Sequence, residues 1–363
     1  MKLAVAGGGT GGHLFPGLAV ADLARERGVA DTVVFFGAER GIESRVVPTR
    51  GYELVAQPLE GMRGRSPVAA LRALSILLAA VRRARKELGD REIDVVLGLG
   101  GYASASAVVA AKLAGIPVVL MEQNREPGLS NRLLARVAKS VCTSFDDTAR
   151  HLPSGRARFT GNPVRRELED LTRGDGVRGL LIFGGSGGAR SMNRAVVEAL
   201  VRLAAERELP PVVHQTGRPS YDEICDRYAD AGLQIDVRVF IENMAEAYGN
   251  ARLAICRSGA TTVAELEATA TASILVPFPE ATGDHQTANA RALEEAGAAV
   301  LIPDNEETAQ RLYETVRRLL DQDDELESMS VKARALGRPG AAAAVLEVLQ
   351  QAVALCASES MSS

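Results

Sequence analysis

The chain has 363 residues, too many for one ordinary hydrophobic core and suited to two domains. A hydrophobic share of 46% predicts a folded protein rather than a disordered one, and a net charge of −4 argues against wholesale nucleic-acid binding. Tryptophan is absent and aromatics make up 4%, so there is no obvious base-stacking platform.

The four cysteines (Cys142, Cys225, Cys256, Cys356) have neither zinc-ligand nor CxxC spacing, which fits a reducing compartment. The N-terminus lacks a signal-peptide pattern, and no apolar stretch reaches the ~18–20 residues that span a bilayer. A cytoplasmic protein is expected, one still able to touch a membrane surface.

In chain order, short apolar runs predict strands at 2–6, 32–36, 94–98, 117–121 and 140–143. Helical patterns fall between them at about 13–27, 67–88, 103–114 and 129–138. The alternation predicts a parallel sheet wrapped by helices, and the Val/Ile/Leu-rich runs suit strands buried on both faces. A charged, apolar-poor stretch follows, and the linker is placed near 160–178. The pattern then restarts, with strands at 179–183, 212–215, 236–240, 252–256 and 273–277. Helices are expected at 189–207, 220–231, 243–249, 261–269 and 285–296, and a last one over about 340–356.

Each half opens in the same way. Residues 1–13 read M-K-L-A-V-A-G-G-G-T-G-G-H and residues 178–190 read R-G-L-L-I-F-G-G-S-G-G-A-R. Each is an apolar run, a glycine cluster with one hydroxyl residue (Thr10, Ser186) and then a helical pattern. Glycines expose backbone N–H groups, and a helix N-terminus behind them favours an anion. Two such loops suggest two similar α/β halves facing one cleft. The competing reading, that the glycines only permit close strand–helix packing, does not need the hydroxyls. A dinucleotide site is disfavoured because Ser186 breaks the second glycine pattern and no acidic residue directly ends the second strand.

Other chemistry gathers at predicted strand ends, where open α/β sheets place ligands. His13 opens a helix whose dipole favours the neutral, proton-accepting imidazole; the alternative is a capping residue. Gly100-Gly101-Tyr102 follows one strand, and Glu122-Gln123-Asn124 follows another. There Glu122 is a candidate general base and Asn124 a hydroxyl binder, unless the triplet only caps the next helix. Arg165 suits phosphate oxygens, or is a surface charge. In C-R-S-G-A-T-T-V-A-E (256–265), Glu265 suits two adjacent ribose hydroxyls or simply the helix dipole, and Asp284-His285-Gln286 could hydrogen-bond a sugar.

Together with G-G-G-T-G-G-H-L-F-P (7–16), G-N-P-V-R (161–165), the loop 184–190 and V-P-F-P…D-H-Q-T-A-N (276–289), these stretches resemble the MurG family of glycosyltransferases over nearly the whole chain and in the same order. The resemblance implies a GT-B fold, with two Rossmann-like domains of parallel sheet facing an interdomain cleft. The expected domains are 1–162 for the acceptor and membrane, and 163–339 for UDP-GlcNAc, with a helix at about 340–357 packing back on the first. The implied reaction moves N-acetylglucosamine from UDP-GlcNAc to the muramyl 4-hydroxyl of lipid I with inversion, giving lipid II and UDP. No cofactor is implied. Metal-independent chemistry is expected, the charge of the departing UDP being met by loop N–H groups, a helix N-terminus, Ser186 and Arg165.

Residue by residue, the resemblance implies that Ser186 and its loop hold the diphosphate and that Arg165 lies near the nucleotide. It has Ile241 reading uracil through its backbone and Glu265 binding ribose, within a loop of Ala260, Thr261, Thr262, Val263, Ala264 and Glu265. Gln286 contacts the sugar hydroxyls. Thr10, Gly11, Gly12, His13 and Asn124 face the acceptor side and the transferred sugar, with His13 or Glu122 as general base, and Tyr102 is a further substrate-binding candidate. Three positions depart from the family pattern. Met121 replaces a usual His, Gly187 replaces a usual Gln, and Ala270-Thr271-Ala272 replaces Gly-x-Pro.

A lipid acceptor implies a peripheral protein at the cytoplasmic face of the cell membrane. The helix around Leu71–Arg85 carries Leu71, Leu74, Leu78, Val81 and Arg85 at helical spacing, beside Arg82 and Arg83. That pattern fits a core helix with basic residues in its last turn; the resemblance favours an anionic leaflet as its partner. Rival readings are another GT-B enzyme (a glycolipid glucosyltransferase or a UDP-GlcNAc 2-epimerase), a sugar-binding protein without chemistry, and a nicotinamide oxidoreductase.

Overall fold

A computed structural model of the chain describes residues 1–39, 41–57, 67–171, 178–185 and 187–361, with side chains described for all of these except 67–74, 102, 103, 282, 360 and 361. Two compact units result, Met1–Arg165 with Gly340–Ser363, and Arg166–Pro339.

The first unit runs β1 (Lys2–Ala6), α1 (Gly11–Glu26), β2 (Thr32–Ala38), α2 (Glu43–Thr49), β3 (Glu53–Gln57), α3 (Pro67–Asp90), β4 (Val95–Gly98), α4 (Gly101–Leu113), β5 (Val118–Glu122), α5 (Leu129–Leu134), β6 (Ser140–Thr143) and β7 (Ala157–Phe159). All strand pairs are parallel, in the order β3-β2-β1-β4-β5-β6-β7. The two-residue period of a strand sends β1 to both faces. Leu3 and Val5 pack with Leu14 and Leu18 of α1, whereas Ala4 and Ala6 pack with Val81, Ala84 and Leu88 of α3.

The second unit runs α6 (Arg166–Glu169), β8 (Gly179–Phe183), α7 (Arg190–Ala204), β9 (Val212–Gln215), α8 (Tyr221–Asp230), β10 (Asp236–Arg238), α9 (Met244–Gly249), β11 (Ala251–Cys256), α10 (Ala260–Ala268), β12 (Ala272–Leu275), α11 (His285–Glu295), β13 (Ala299–Leu301), α12 (Thr308–Leu320) and α13 (Asp323–Leu336). Its parallel sheet has the order β10-β9-β8-β11-β12-β13. The helix α14 (Ala341–Met361) then returns to the first unit, burying Val345, Leu346, Leu349 and Ala352 beside β1 and α1.

Two expectations need correction. The stretch Asp323–Glu359, which holds α13 and α14, contains a segment long and apolar enough to cross a membrane by length and composition. Its apolar residues are instead partly buried in the cores of the two units, Leu326 and Met329 in the second and Val345, Leu346, Leu349 and Ala352 in the first. Within α3, Val81 does not share an exposed stripe with Leu78. It is 8% exposed and faces the sheet with Ala84 and Leu88, three and seven residues on, while Leu78 is 49% exposed. Arg82, Arg83 and Arg85 are exposed. The side chains of Leu71 and Leu74 lie outside the described residues.

Candidate active site

In each sheet the strand order reverses at one place, between β1 and β4 in the first unit and between β8 and β11 in the second. Ligands of open α/β sheets bind beyond the strand ends at such switch points. All four bordering strands lead into glycine-containing turns: Gly7–Gly12, Gly98–Gly101, the 184–188 loop and Gly259. The helices that follow β1, β8 and β11 have no acidic residue in the first turn, unlike α8 and α13. Their positive dipole ends are thus left for other negative groups.

In the first unit, Thr10 is the N-cap of α1, but its side chain does not cap the helix. Its hydroxyl lies 2.9 Å from His13 Nδ1. If Nδ1–H donates to Thr10 Oγ1, Nε2 carries the lone pair and the ring is competent as a base. His13 is half-buried, and Gly11 and Gly12 form the first turn above Phe15. The Arg165 guanidinium stacks on that Phe15 ring at 5.7 Å. Tyr102 is the second residue of α4, and its side chain lies outside the described residues.

The other candidate base has a different environment. Glu122 is 1% exposed. Its Oε1 accepts from the Asn124 backbone N–H at 3.0 Å and from Asn124 Nδ2 at 3.3 Å. Its Oε2 accepts from Gly128 N–H at 3.1 Å and from Asn131 Nδ2 at 2.9 Å. Burial pushes its carboxyl above the usual carboxylate range, and these four donors pull it partly back. Such a group shapes the 122–131 turn and aims Asn124. Met121, where the family pattern has His, is fully buried in the core.

In the second unit, Ser186 lies outside the described residues, but the loop around it is tied down by a residue the sequence reading passed over. Gln215, at the end of β9, donates from Nε2 to Gly185 O at 2.9 Å and accepts at Oε1 from Ile241 N–H at 3.2 Å. One buried amide therefore joins the glycine loop to Ile241. The Ile241 N–H is committed to it, which turns a backbone reading by Ile241 toward its carbonyl. Behind the loop, Gly188 (φ 75) has no room for a side chain against Thr216 O. Thr216 O also accepts from Asn193 Nδ2 at 2.9 Å. Asn193 Oδ1 lies 3.3 Å from Nε2 of the fully buried His214, whose Nδ1 is 2.9 Å from Tyr228 Oη. Burial pushes the His214 imidazole down to about 3, so it is neutral.

Next along the sheet, Ala260–Glu265 form the first turns of α10, with Thr261 and Thr262 half-buried and Ala260, Val263, Ala264 and Glu265 buried. Glu265 Oε2 accepts from the Tyr248 hydroxyl at 3.2 Å, and Tyr248 packs edge-on against Phe183 at the end of β8. Gln286 Oε1 accepts from Phe278 N–H at 2.9 Å, which presents its amide NH₂ as the donor end.

Arg257, in the C-R-S-G run but not singled out from sequence, is 7% exposed. It pairs with Asp304 at 2.7 Å, donates to Val276 O and Pro277 O, and donates to Ser191 Oγ at the start of α7. It locks together the turns after β11, β12 and β13. Among the described residues, no cluster of three or more His, Cys, Asp or Glu is placed to hold a metal ion.

Residues 3–143 match the glycosyltransferase family 28 N-terminal domain, and residues 179–345 match the glycosyltransferase family 28 C-terminal domain. The chain is 45% identical over 352 residues to a Myxococcus xanthus protein named UDP-N-acetylglucosamine–N-acetylmuramyl-(pentapeptide) pyrophosphoryl-undecaprenol N-acetylglucosamine transferase, with 96% of this chain and 92% of the relative covered. The crystal structure of MurG from Acinetobacter baumannii is similar at TM-score 0.79 and 34% identity, covering 96% of this chain and 99% of that one. A UDP-GlcNAc 2-epimerase from Neisseria meningitidis bound to UDP-GlcNAc matches at TM-score 0.68 over 97% of this chain and 100% of that one; at 15% identity that likeness is of fold alone. With two parallel α/β units and these matches, the fold is GT-B, and the chain belongs to the MurG family within glycosyltransferase family 28.

Proposed function

We infer that this chain transfers N-acetylglucosamine from UDP-GlcNAc to the muramyl 4-hydroxyl of lipid I, inverting the anomeric centre and producing lipid II and UDP. The observation that carries this reading is the second unit's switch point. There Gln215 couples the glycine loop to Ile241 while Tyr248 presents Glu265, within a chain 45% identical to a protein named for this transfer. Loop N–H groups and a helix start suit a diphosphate, a carboxylate suits vicinal ribose hydroxyls, and a backbone carbonyl suits the imide of uracil.

The acceptor oxygen bonds to C1 of the sugar as the bond from C1 to the β-phosphate oxygen breaks, and UDP leaves with that electron pair. Its growing charge is met by N–H groups of the second glycine loop and by the N-terminus of α7. His13 Nε2 takes the proton from the hydroxyl, in the tautomer that Thr10 supports. Glu122 is assigned to positioning, because four donors already fill its oxygens. Asn124, Tyr102 and the Gly11–Gly12 turn contribute to the acceptor half-site, and Gln286 with the Ala260–Glu265 turn to the donor half-site.

Lipid I places the reaction at the cytoplasmic face of the membrane, with the chain as a peripheral protein. Exposed Leu78 and Leu113, with Arg82, Arg83 and Arg85, support contact with an anionic leaflet. UDP release from UDP-GlcNAc tests the function. Release that requires a lipid I analogue is expected, whereas conversion of UDP-GlcNAc without any acceptor would refute it in favour of an epimerase.

A further inference from the structure

The first glycine loop already holds a carboxyl group, and that group belongs to the protein. Glu43, the first residue of α2, is fully buried. Its Oε2 accepts from Gly9 N–H at 2.8 Å, and its Oε1 accepts from Ala38 N–H at 2.8 Å. Three glycines make room for it: a Cβ at Gly8, Gly37 or Gly41 would overlap the Glu43 side chain. Gly8 (φ 152) and Gly9 (φ 84) also adopt backbone conformations that other residues rarely reach. A second loop N–H, that of Gly7, is turned inward onto Phe36 O at 2.9 Å.

Burying a carboxylate is costly unless its charge is met by good donors, so this arrangement is built rather than incidental. It also supplies, from α2, the negative charge that the first turn of α1 lacks.

We propose that Glu43 is a positioning residue: its buried carboxyl group, accepting from the Gly9 and Ala38 N–H groups, sets the Gly7–Gly9 turn, and through the adjoining residues fixes the Thr10–His13 pair. This rests on the reading of His13 as the base of the transfer. It gives the two similar-looking glycine loops different tasks. The second loop is the one assigned to a ligand's phosphates. In the first, the Gly9 N–H is satisfied from within, and the turn serves as a rigid mount for acid–base chemistry.

The test uses the full chain with two variants, Glu43→Ala, which opens a cavity, and the isosteric Glu43→Gln, whose NH₂ must face an N–H donor. Two readouts are taken: amide hydrogen exchange over residues 7–14, and steady-state UDP release with UDP-GlcNAc and a lipid I analogue. In Glu43→Ala, loop exchange is expected to rise at least about tenfold and kcat to fall about 100-fold, with KM for UDP-GlcNAc within about twofold of the parent. Added formate, which fits the vacated carboxylate position, restores both readouts in Glu43→Ala but not in Glu43→Gln, and chloride at equal ionic strength does not.

Unchanged loop exchange in both variants, or kcat within about threefold of the parent in Glu43→Gln, overturns the proposal. So does a folded Glu43→Ala protein that formate leaves unaltered. If the unsubstituted protein releases no UDP, the transferase reading fails, while the exchange and formate arms still decide the role of Glu43.

Discussion

Glu122→Gln separates a positioning carboxylate from a catalytic base. The substitution keeps shape, but it replaces one acceptor oxygen with an NH₂ group. Whichever way the amide is turned, that NH₂ faces two donors: either Asn124 N–H and Nδ2, or Gly128 N–H and Asn131 Nδ2. Two lost hydrogen bonds at a buried acceptor cost about 2 kcal/mol. For a unit of this size that is a fall in Tm of about 4–8 °C. Asn124 loses its anchor, so kcat should fall about tenfold, less than the ~10²–10⁴ typical of removing a general base.

The assays are differential scanning calorimetry and kcat against pH. If His13 takes the proton as proposed, the acid limb of the profile should persist in Glu122→Gln and vanish in His13→Ala. An unchanged Tm together with loss of the acid limb in Glu122→Gln would refute this reasoning and restore Glu122 as the base.

A Cβ at Gly187 meets nothing within 4 Å, so Gly187→Gln, which restores the usual family residue, should fold normally and lower KM for UDP-GlcNAc severalfold in the UDP-release assay. His214 has a folded pKa near 3 against an ordinary value of 6.5, so the unfolded chain binds the extra proton between these values. The stability it contributes is complete above 6.5 and declines as pH falls toward 3, by up to about 1.4 kcal/mol per pH unit. In urea titrations His214→Gln should flatten the decline between pH 6.5 and 4.5; an identical slope would contradict the assignment. Sedimentation with anionic vesicles should show weaker binding for the Arg82/Arg83/Arg85→Glu protein, and unchanged binding would sink the membrane patch.

The central strands were legible in the sequence because strands buried on both faces need unbroken apolar runs. The strands that escaped notice, β3, β7 and β13, all lie at sheet edges, where one neighbour suffices and the runs shrink to E-L-V-A-Q, A-R-F and A-V-L. Missing β3 also hid α2, and with it Glu43. The helices α12 and α13 were passed over although both are amphipathic. Site residues inside motifs, such as His13 and Glu265, were visible from residue type and position. Gln215 and Arg257 were not, because their importance lies in partners 19–66 residues away. Glu122 was recognised as special, but only the count of donors around it distinguishes holding a turn from moving a proton.

The account depends most on a diphosphate meeting the second glycine loop and not the first. A crystal structure of the chain with UDP bound tests this directly. Phosphate oxygens should lie about 3 Å from N–H groups of the 184–188 turn and the start of α7, with the Glu265 carboxylate on the ribose. Diphosphate density against Gly7–Gly12, or anywhere away from the second loop, would contradict it.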